Sequence, residues 1–157
     1  MNEKRLVQTF LDIVRIDSPS EHEEKIGNYV FDFLAKLGFK PIKDNVGNIA
    51  VQTEGIGEPL FLGAHLDTVE PGRNIKPQIK DGIIKSDGTT ILGADNKVAV
   101  AAILEVLKFL VNNKIKTRPL DIVFTLSEEA DFGSAKLDYK KIEAKKGYIF
   151  AADVTCE

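Results

Sequence analysis

The sequence has a single cysteine, only two histidines and no apolar run as long as a membrane span. The lone cysteine, Cys156, excludes an internal disulfide framework. Residues 1–10 carry charges among their apolar positions and lack the continuous apolar core of a secretory signal. These absences exclude a disulfide-stapled scaffold and a membrane protein, so we expect a soluble, cytoplasmic protein.

Positive charge is also scarce. The formal net charge is −3, and the longest basic runs are pairs such as Lys145-Lys146. Such pairs are too short for a nucleic-acid-binding patch, so we expect no nucleic acid partner. The 157 residues, 43% hydrophobic and 29% charged, fit one globular domain with a sizeable core.

Apolar residues recur at helical spacing in three segments and form short apolar runs in four others. The predicted helices are 6–14, 26–37 and 95–112, and the predicted strands are 49–53, 60–66, 120–126 and 148–152. The third helix is apolar on most sides, and we expect it and the last two strands to be buried. Because strands alternate with helices, the predicted fold class is α/β: a mixed, mainly parallel sheet flanked by helices.

Two local patterns predict particular backbone features. Asp81-Gly82 lies between two isoleucine-containing segments and predicts a two-residue β-hairpin turn. Ser20 with Glu23 matches a capping box at the start of the second helix, and Gly38 is placed to end that helix.

Polar groups that could bind a metal follow several of the predicted strands. His65 and Asp67 end one strand, Glu128-Glu129 follow another, Asp153 follows a third, and Asp95 lies where a loop meets a helix. In parallel α/β sheets, ligands bind outside the carboxyl ends of the strands. We therefore expect these residues to meet at one edge of the sheet and to form a carboxylate-rich metal site.

Each of these residues also has a purely structural interpretation. A lone histidine at a strand end is more often a hydrogen-bonded structural residue, although Asp67 favours a ligand whose second nitrogen is held by a carboxylate. Asp95, considered alone, is better explained as a helix N-cap. A phosphate-binding loop is excluded, because Gly88 and Gly93 have the required spacing but Ala94 stands where the lysine is needed.

Glu128 and Glu129 are adjacent carboxylates after an apolar strand. Their repulsion costs stability unless a cation or solvent offsets it. Their side chains point in different directions, so one can bind a metal while the other acts as a general base. Two solvated loop glutamates are equally compatible with the pair alone. The other histidine, His22, lies among glutamates and is predicted to be at the surface.

Three segments match the residues, order and spacing of a known family. They are Gly63-Ala64-His65-Leu66-Asp67-Thr68-Val69, Thr90-Ile91-Leu92-Gly93-Ala94-Asp95-Asn96-Lys97 and Ser127-Glu128-Glu129. Together they closely resemble the dimetal exopeptidase and deacylase family, and in particular its peptidase T-like aminopeptidase branch. The resemblance covers nearly the whole chain. It implies a zinc exopeptidase-like core and hydrolysis of a terminal peptide or N-acyl amino acid bond in small peptide substrates.

The resemblance also implies a role for each site residue. His65 would bind one zinc ion, Asp95 would bridge both ions, and Glu129 would bind the second. Asp67 would orient His65, and Glu128 would be the general base that acts on a dimetal-activated water. Zinc is the expected cofactor, with cobalt or manganese as alternatives.

The sequence departs from the family pattern in two ways. A further metal-binding aspartate of the family aligns with Ala151, whereas Asp153 lies two residues on, roughly 6.6 Å along the same strand face. Either the strand is shifted and Asp153 substitutes, or the first metal has lost a ligand. Family members are more than twice as long, and their remaining part supplies a lid domain and a last metal-binding histidine. Residues 1–157 are therefore predicted to be the N-terminal portion of a metallopeptidase catalytic domain, weakly active or inactive alone, with uncovered surface that favours self-association.

A second class of function stays open on the sequence. Ala151 and the short length are compatible with a non-catalytic metal-binding or scaffold module that has retained the peptidase fold. A serine hydrolase that uses His65 is excluded, because the sequence contains no Gly-x-Ser-x-Gly motif.

Overall fold

The computed structural model describes residues 2–131, 133–137 and 142–150. Ala151, Asp153, Cys156 and the end of the predicted last strand lie outside these residues. In chain order, the described residues form α1 (Glu3–Val14), α2 (Glu24–Lys36), β1 (Ile42–Lys43), β2 (Ile49–Gln52), β3 (Leu60–His65), β4 (Gln78–Lys80), β5 (Ile83–Lys85), α3 (Ala94–Asn112), β6 (Leu120–Thr125), α4 (Glu128–Asp131), a short 3-10 helix (Gly133–Lys136) and β7 (Gly147–Ile149).

Five of the strands form one mixed sheet in the order β1-β2-β6-β3-β7. Strand β2 runs antiparallel to β1 and β6, whereas β3 runs parallel to both β6 and β7. The register pairs His65 with Thr125, so β3 and β6 end side by side. The predicted α/β class with a mixed sheet and flanking helices is confirmed, and two of the four strand pairings described in this sheet are parallel.

The sheet and the three long helices share one hydrophobic core. Alternate residues of β3 and β6 point into it, as the two-residue period of a strand requires. Its fully buried members include Ile13, Val14, Ile26, Val30, Leu34, Leu66, Val100, Leu104, Ile122 and Phe124. The opposite face of β3 and β6 contributes His65 and Val123 to a cavity instead. The sheet thus separates the packed core from the surface that carries the polar groups.

Helix α3 is buried on most but not all sides, which partly confirms the prediction of deep burial. Val98 and Val106 are exposed, whereas the charged Lys97 and Glu105 are fully buried. The ammonium group of Lys97 donates a 2.8 Å hydrogen bond to the carbonyl of Ile16. Burial lowers the pKa of Lys97 to about 8, against the opposing effect of Asp17.

The hairpin and the helix end are confirmed, but the capping box is wrong. Asp81 and Gly82 have φ values of 53° and 77°, as a type I′ turn between β4 and β5 requires. Gly38, with φ of 90°, directly follows the C-cap of α2. At the other end of α2 no side chain caps the helix. The hydroxyl of Ser20 instead donates to Asp67, and the carboxylate of Glu23 accepts from the N–H of Ser127. Both side chains are therefore engaged in tertiary contacts.

The prediction that the last strand is buried is wrong. Tyr148 and Ile149 are 62% and 78% exposed. In the described part of the chain, β7 has β3 as its sole strand neighbour and therefore lies at an edge of the sheet. None of the helices within the described residues combines the length and apolar character needed to cross a lipid bilayer.

Candidate metal centre

The predicted site residues come together where β3 and β6 end. His65 is the last residue of β3, and Asp67 follows it by two positions. Glu128 and Glu129 open α4, three and four residues after β6. Asp95 lies in the first turn of α3. The parallel pairing of β3 with β6 thus places groups that are more than 60 residues apart at one edge of the sheet.

His65 is held between two carboxylates. His65 is 7% exposed, and its Nδ1 lies 3.1 Å from the carbonyl oxygen and 3.2 Å from Oδ1 of Asp67. Because both neighbours are acceptors, Nδ1 carries a proton and Nε2 faces Oδ1 of Asp95 at 3.1 Å. Burial lowers the pKa of His65, but hydrogen bonds and charge interactions with Asp67 and Asp95 outweigh burial and raise it to about 9.

The two glutamates lie beside this histidine. One ligand atom from each of His65, Glu128 and Glu129 lies within 4.8 Å of the others, which is a spacing that a single metal ion can bridge. Partial burial and the neighbouring Asp95 and Glu128 carboxylates raise the pKa of Glu129, against the opposing charge of His65. The geometry makes both glutamates candidate ligands.

Asp67 has more partners than the sequence suggested. It is fully buried. Besides its contact with His65, it accepts 3.0 Å hydrogen bonds from the backbone N–H groups of Glu128 and Glu129. The hydroxyl of Ser20 donates a further bond of 2.7 Å. Burial raises the pKa of Asp67, but these hydrogen bonds outweigh burial and lower it to about 2. One carboxylate therefore orients both the histidine and the glutamate pair.

Asp95 does not act as the N-cap that its sequence position also allowed. Gly93 is the N-cap of α3, with φ of 68°, and no side-chain capping bond is present there. A Cβ atom at position 93 would lie 3.2 Å from Ile75 and 3.3 Å from Thr68, so close packing also favours glycine. The carboxylate of Asp95 is therefore free to face His65.

A cavity of about 920 Å³ opens beside these residues. His65, Asp95, Glu128 and Glu129 line it, with Phe61 and Phe150 among its apolar walls. Its volume is within the range of small-molecule sites.

Replacing Asp67 by alanine should disturb the whole cluster. The N–H groups of Glu128 and Glu129 would lose the acceptor of two part-buried hydrogen bonds, so we expect stability to fall by roughly 3 kcal/mol. We also expect zinc affinity to fall by about 10- to 100-fold, as is typical when a partner of a metal ligand is removed. Urea unfolding and zinc calorimetry measure the two effects. The matched control is D32A, since Asp32 is exposed on α2; equal results for both variants would contradict the role of Asp67.

The structure thus gathers five of the six predicted site residues, and Asp153 lies outside the described residues. Sequence reasoning missed Ser20, the further partner of Asp67. Its pattern with Glu23 was interpreted as a local cap, and a sequence contains no signal for a bond that spans 47 positions.

Comparison with known proteins gives a consistent result. A model of peptidase family M20/M25/M40 matches residues 61–155. The chain is 35% identical to the uncharacterized protein YqjE of Bacillus subtilis (strain 168), over 98% of the chain and 44% of that protein.

Two solved structures are also similar. The chain matches aminopeptidase PepT from Bacillus cereus ATCC 10987 with a TM-score of 0.93 and 34% identity, and a tripeptidase from Staphylococcus aureus subsp. aureus Mu50 with a TM-score of 0.92 and 37% identity. Each match covers 98% of this chain and 44% of the other. The chain therefore spans less than half the length of these relatives.

Proposed function

The chain belongs to peptidase family M20/M25/M40, and from this premise we propose that residues 1–157 are the N-terminal portion of the catalytic domain of a metal-dependent peptidase. The proposed reaction is hydrolysis of a terminal peptide bond, or of an N-acyl amino acid bond, in a small peptide substrate. The observation that carries the proposal is the convergence of His65, Asp95, Glu128 and Glu129 on one cavity. The similarity to an aminopeptidase and a tripeptidase supports the substrate class.

The donor set fits a zinc site. One imidazole nitrogen and several carboxylate oxygens are ligands that zinc accepts, and cobalt and manganese accept the same types. We propose that His65, Asp95 and Glu129 hold the metal, that two ions are bound, and that Asp153 is a further ligand. Bound divalent cations supply Lewis-acid polarisation of the scissile carbonyl and lower the pKa of water in the site.

The remaining steps are assigned to residues of the chain. Asp67 accepts the Nδ1 proton of His65 in a hydrogen bond and so leaves Nε2 free to act as a ligand. We propose that a carboxylate oxygen of Glu128 takes a proton from the attacking water and passes it to the leaving amine nitrogen. The cavity walls beside Phe61 and Phe150 would bind the substrate and exclude water.

The test is metal titration followed by a peptide assay. We expect zinc or cobalt to bind the chelator-treated chain saturably in calorimetry. We also expect any hydrolysis of dipeptides, tripeptides or N-acyl amino acids to require that metal and to stop on chelation. Absence of saturable binding, or hydrolysis that a chelator leaves unchanged, would contradict the proposal. Saturable binding with weak or absent hydrolysis agrees with the expectation that residues 1–157 alone are weakly active or inactive.

A further inference from the structure

The segment from Leu126 to Glu129 is held by an unusual set of hydrogen bonds. Four successive backbone N–H groups each donate to a side-chain oxygen from a distant part of the chain. Leu126 donates to Asn48 at 3.0 Å, Ser127 to Glu23 at 2.8 Å, and Glu128 and Glu129 to Asp67 at 3.0 Å each. The first N–H groups of a helix have no partner within it, and α4 has only four residues. These acceptors therefore hold α4 in place.

Glu23 is an acceptor of this set that lies outside the cavity of the candidate metal centre. Its side chain does not line the cavity of about 920 Å³ that contains His65 and Glu129. It is 3% exposed, and its Oε1 accepts bonds from both the N–H and the hydroxyl of Ser127, at 2.8 and 3.0 Å, and from the N–H of Glu21 at 3.1 Å.

The backbone of Ser127 needs such an anchor. Its φ is +51°, in the left-handed region that costs a residue with a side chain roughly 1–2 kcal/mol. Ser127 directly precedes Glu128, so the direction in which the two glutamates project depends on this conformation. Glu23 itself lies on a rigid support, because Ile26, Val30 and Leu34 of the adjoining α2 are fully buried.

We propose that Glu23 is a positioning residue of the candidate metal centre: by holding Ser127, it fixes the carboxylates of Glu128 and Glu129 relative to His65. Glu23 does not touch the metal or the substrate. Its effect passes through the backbone of a single residue, and an error of about 1 Å at catalytic groups can cost 100-fold in rate. The effect of Glu23 on metal binding rests on the proposed function, whereas its hydrogen bonds to Ser127 do not.

The test compares four variants of the 157-residue chain. In E23A the acceptor is lost, in E23D it is withdrawn by one methylene, and in E23Q an acceptor oxygen is kept without the charge. E24Q is the matched control, since Glu24 is the exposed neighbour of Glu23. We expect E23A and E23D to bind cobalt about tenfold or more weakly and to alter its visible absorption spectrum, which reports ligand geometry. E23Q and E24Q should stay within about threefold of the unsubstituted chain.

A second measurement separates this inference from the proposed function. In the metal-free chain, the N–H groups of Ser127, Glu128 and Glu129 should exchange with solvent faster in E23A and E23D, but not in E23Q. Unchanged exchange and cobalt binding in a folded E23A, or an equal loss in E23Q and E23A, would overturn the positioning role. If E23A does not fold, the comparison of E23D with E23Q decides. Equal cobalt binding and equal exchange rates in these two variants would overturn the positioning role. If neither the unsubstituted chain nor any variant binds cobalt, the proposed function fails, and the exchange rates still test the hold on Ser127.

Discussion

Replacing His65 by alanine should weaken zinc binding by more than 100-fold. Loss of an outer partner of a metal ligand typically costs about 10- to 100-fold, and loss of the ligand itself should exceed that range. The described cluster offers no second imidazole, because the only other histidine, His22, is exposed and is not part of it. The remaining carboxylates would then repel one another without a nitrogen ligand among them.

His22 supplies a closely matched control. H22A removes the same chemical group from the surface of the same chain, so it measures any zinc that binds to an exposed imidazole. Calorimetry should give H22A the affinity of the unsubstituted chain. If H65A and H22A bind zinc equally well, His65 is a structural residue and the metal centre lies elsewhere.

Much of the fold could be predicted because local patterns and tertiary structure agree. Apolar periodicity placed α1, α2, α3, β2, β3 and β6 within a few residues of their observed bounds. Strand β1 was missed because it has only two residues, both exposed, and so lacks an apolar pattern. The start of strand β7 was predicted to within one residue, but its burial was overestimated. The number of neighbours of a strand is a property of the sheet and not of the strand's own residues.

The site was predictable for a topological reason. Parallel strands expose their carboxyl ends along one edge, so polar residues that follow β3 and β6 must meet there, whatever their separation in sequence. The same reasoning predicts from the sequence alone that His65, Asp67 and the two glutamates lie close together. The resemblance to the peptidase T-like branch, which the comparisons confirm, also implies that these residues form one site.

The hydrogen-bond partners around the site could not be predicted in the same way. Ser20 and Glu23 have the spacing of a capping box, which is a local pattern, yet both bond to residues far along the chain. Asp95 has the position of an N-cap but faces His65. Each of these side chains has a charge-assisted contact with a distant part of the chain, and sequence spacing alone contains no information about such contacts.

Replacing Glu128 by glutamine should separate the two roles that its position allows. Glutamine keeps the size of the side chain but cannot accept a proton at neutral pH. If Glu128 is the general base, turnover of the metal-loaded chain should fall by about 10²- to 10⁴-fold, which is the usual contribution of such a group. Zinc affinity should change by less than about threefold, since a base that is not a ligand makes no bond to the metal.

The geometry makes this a demanding test, because Glu128 lies within the same 4.8 Å cluster as His65 and Glu129. A drop in zinc affinity for E128Q as large as that for E129Q would show that Glu128 is a ligand, and the proposed base would be wrong. The control is E58Q, since Glu58 is exposed on the loop between β2 and β3. Any turnover that the chain supports should be unchanged in E58Q. Where turnover of the unsubstituted chain is too weak to measure, the affinities of E128Q and E129Q still distinguish a base from a ligand.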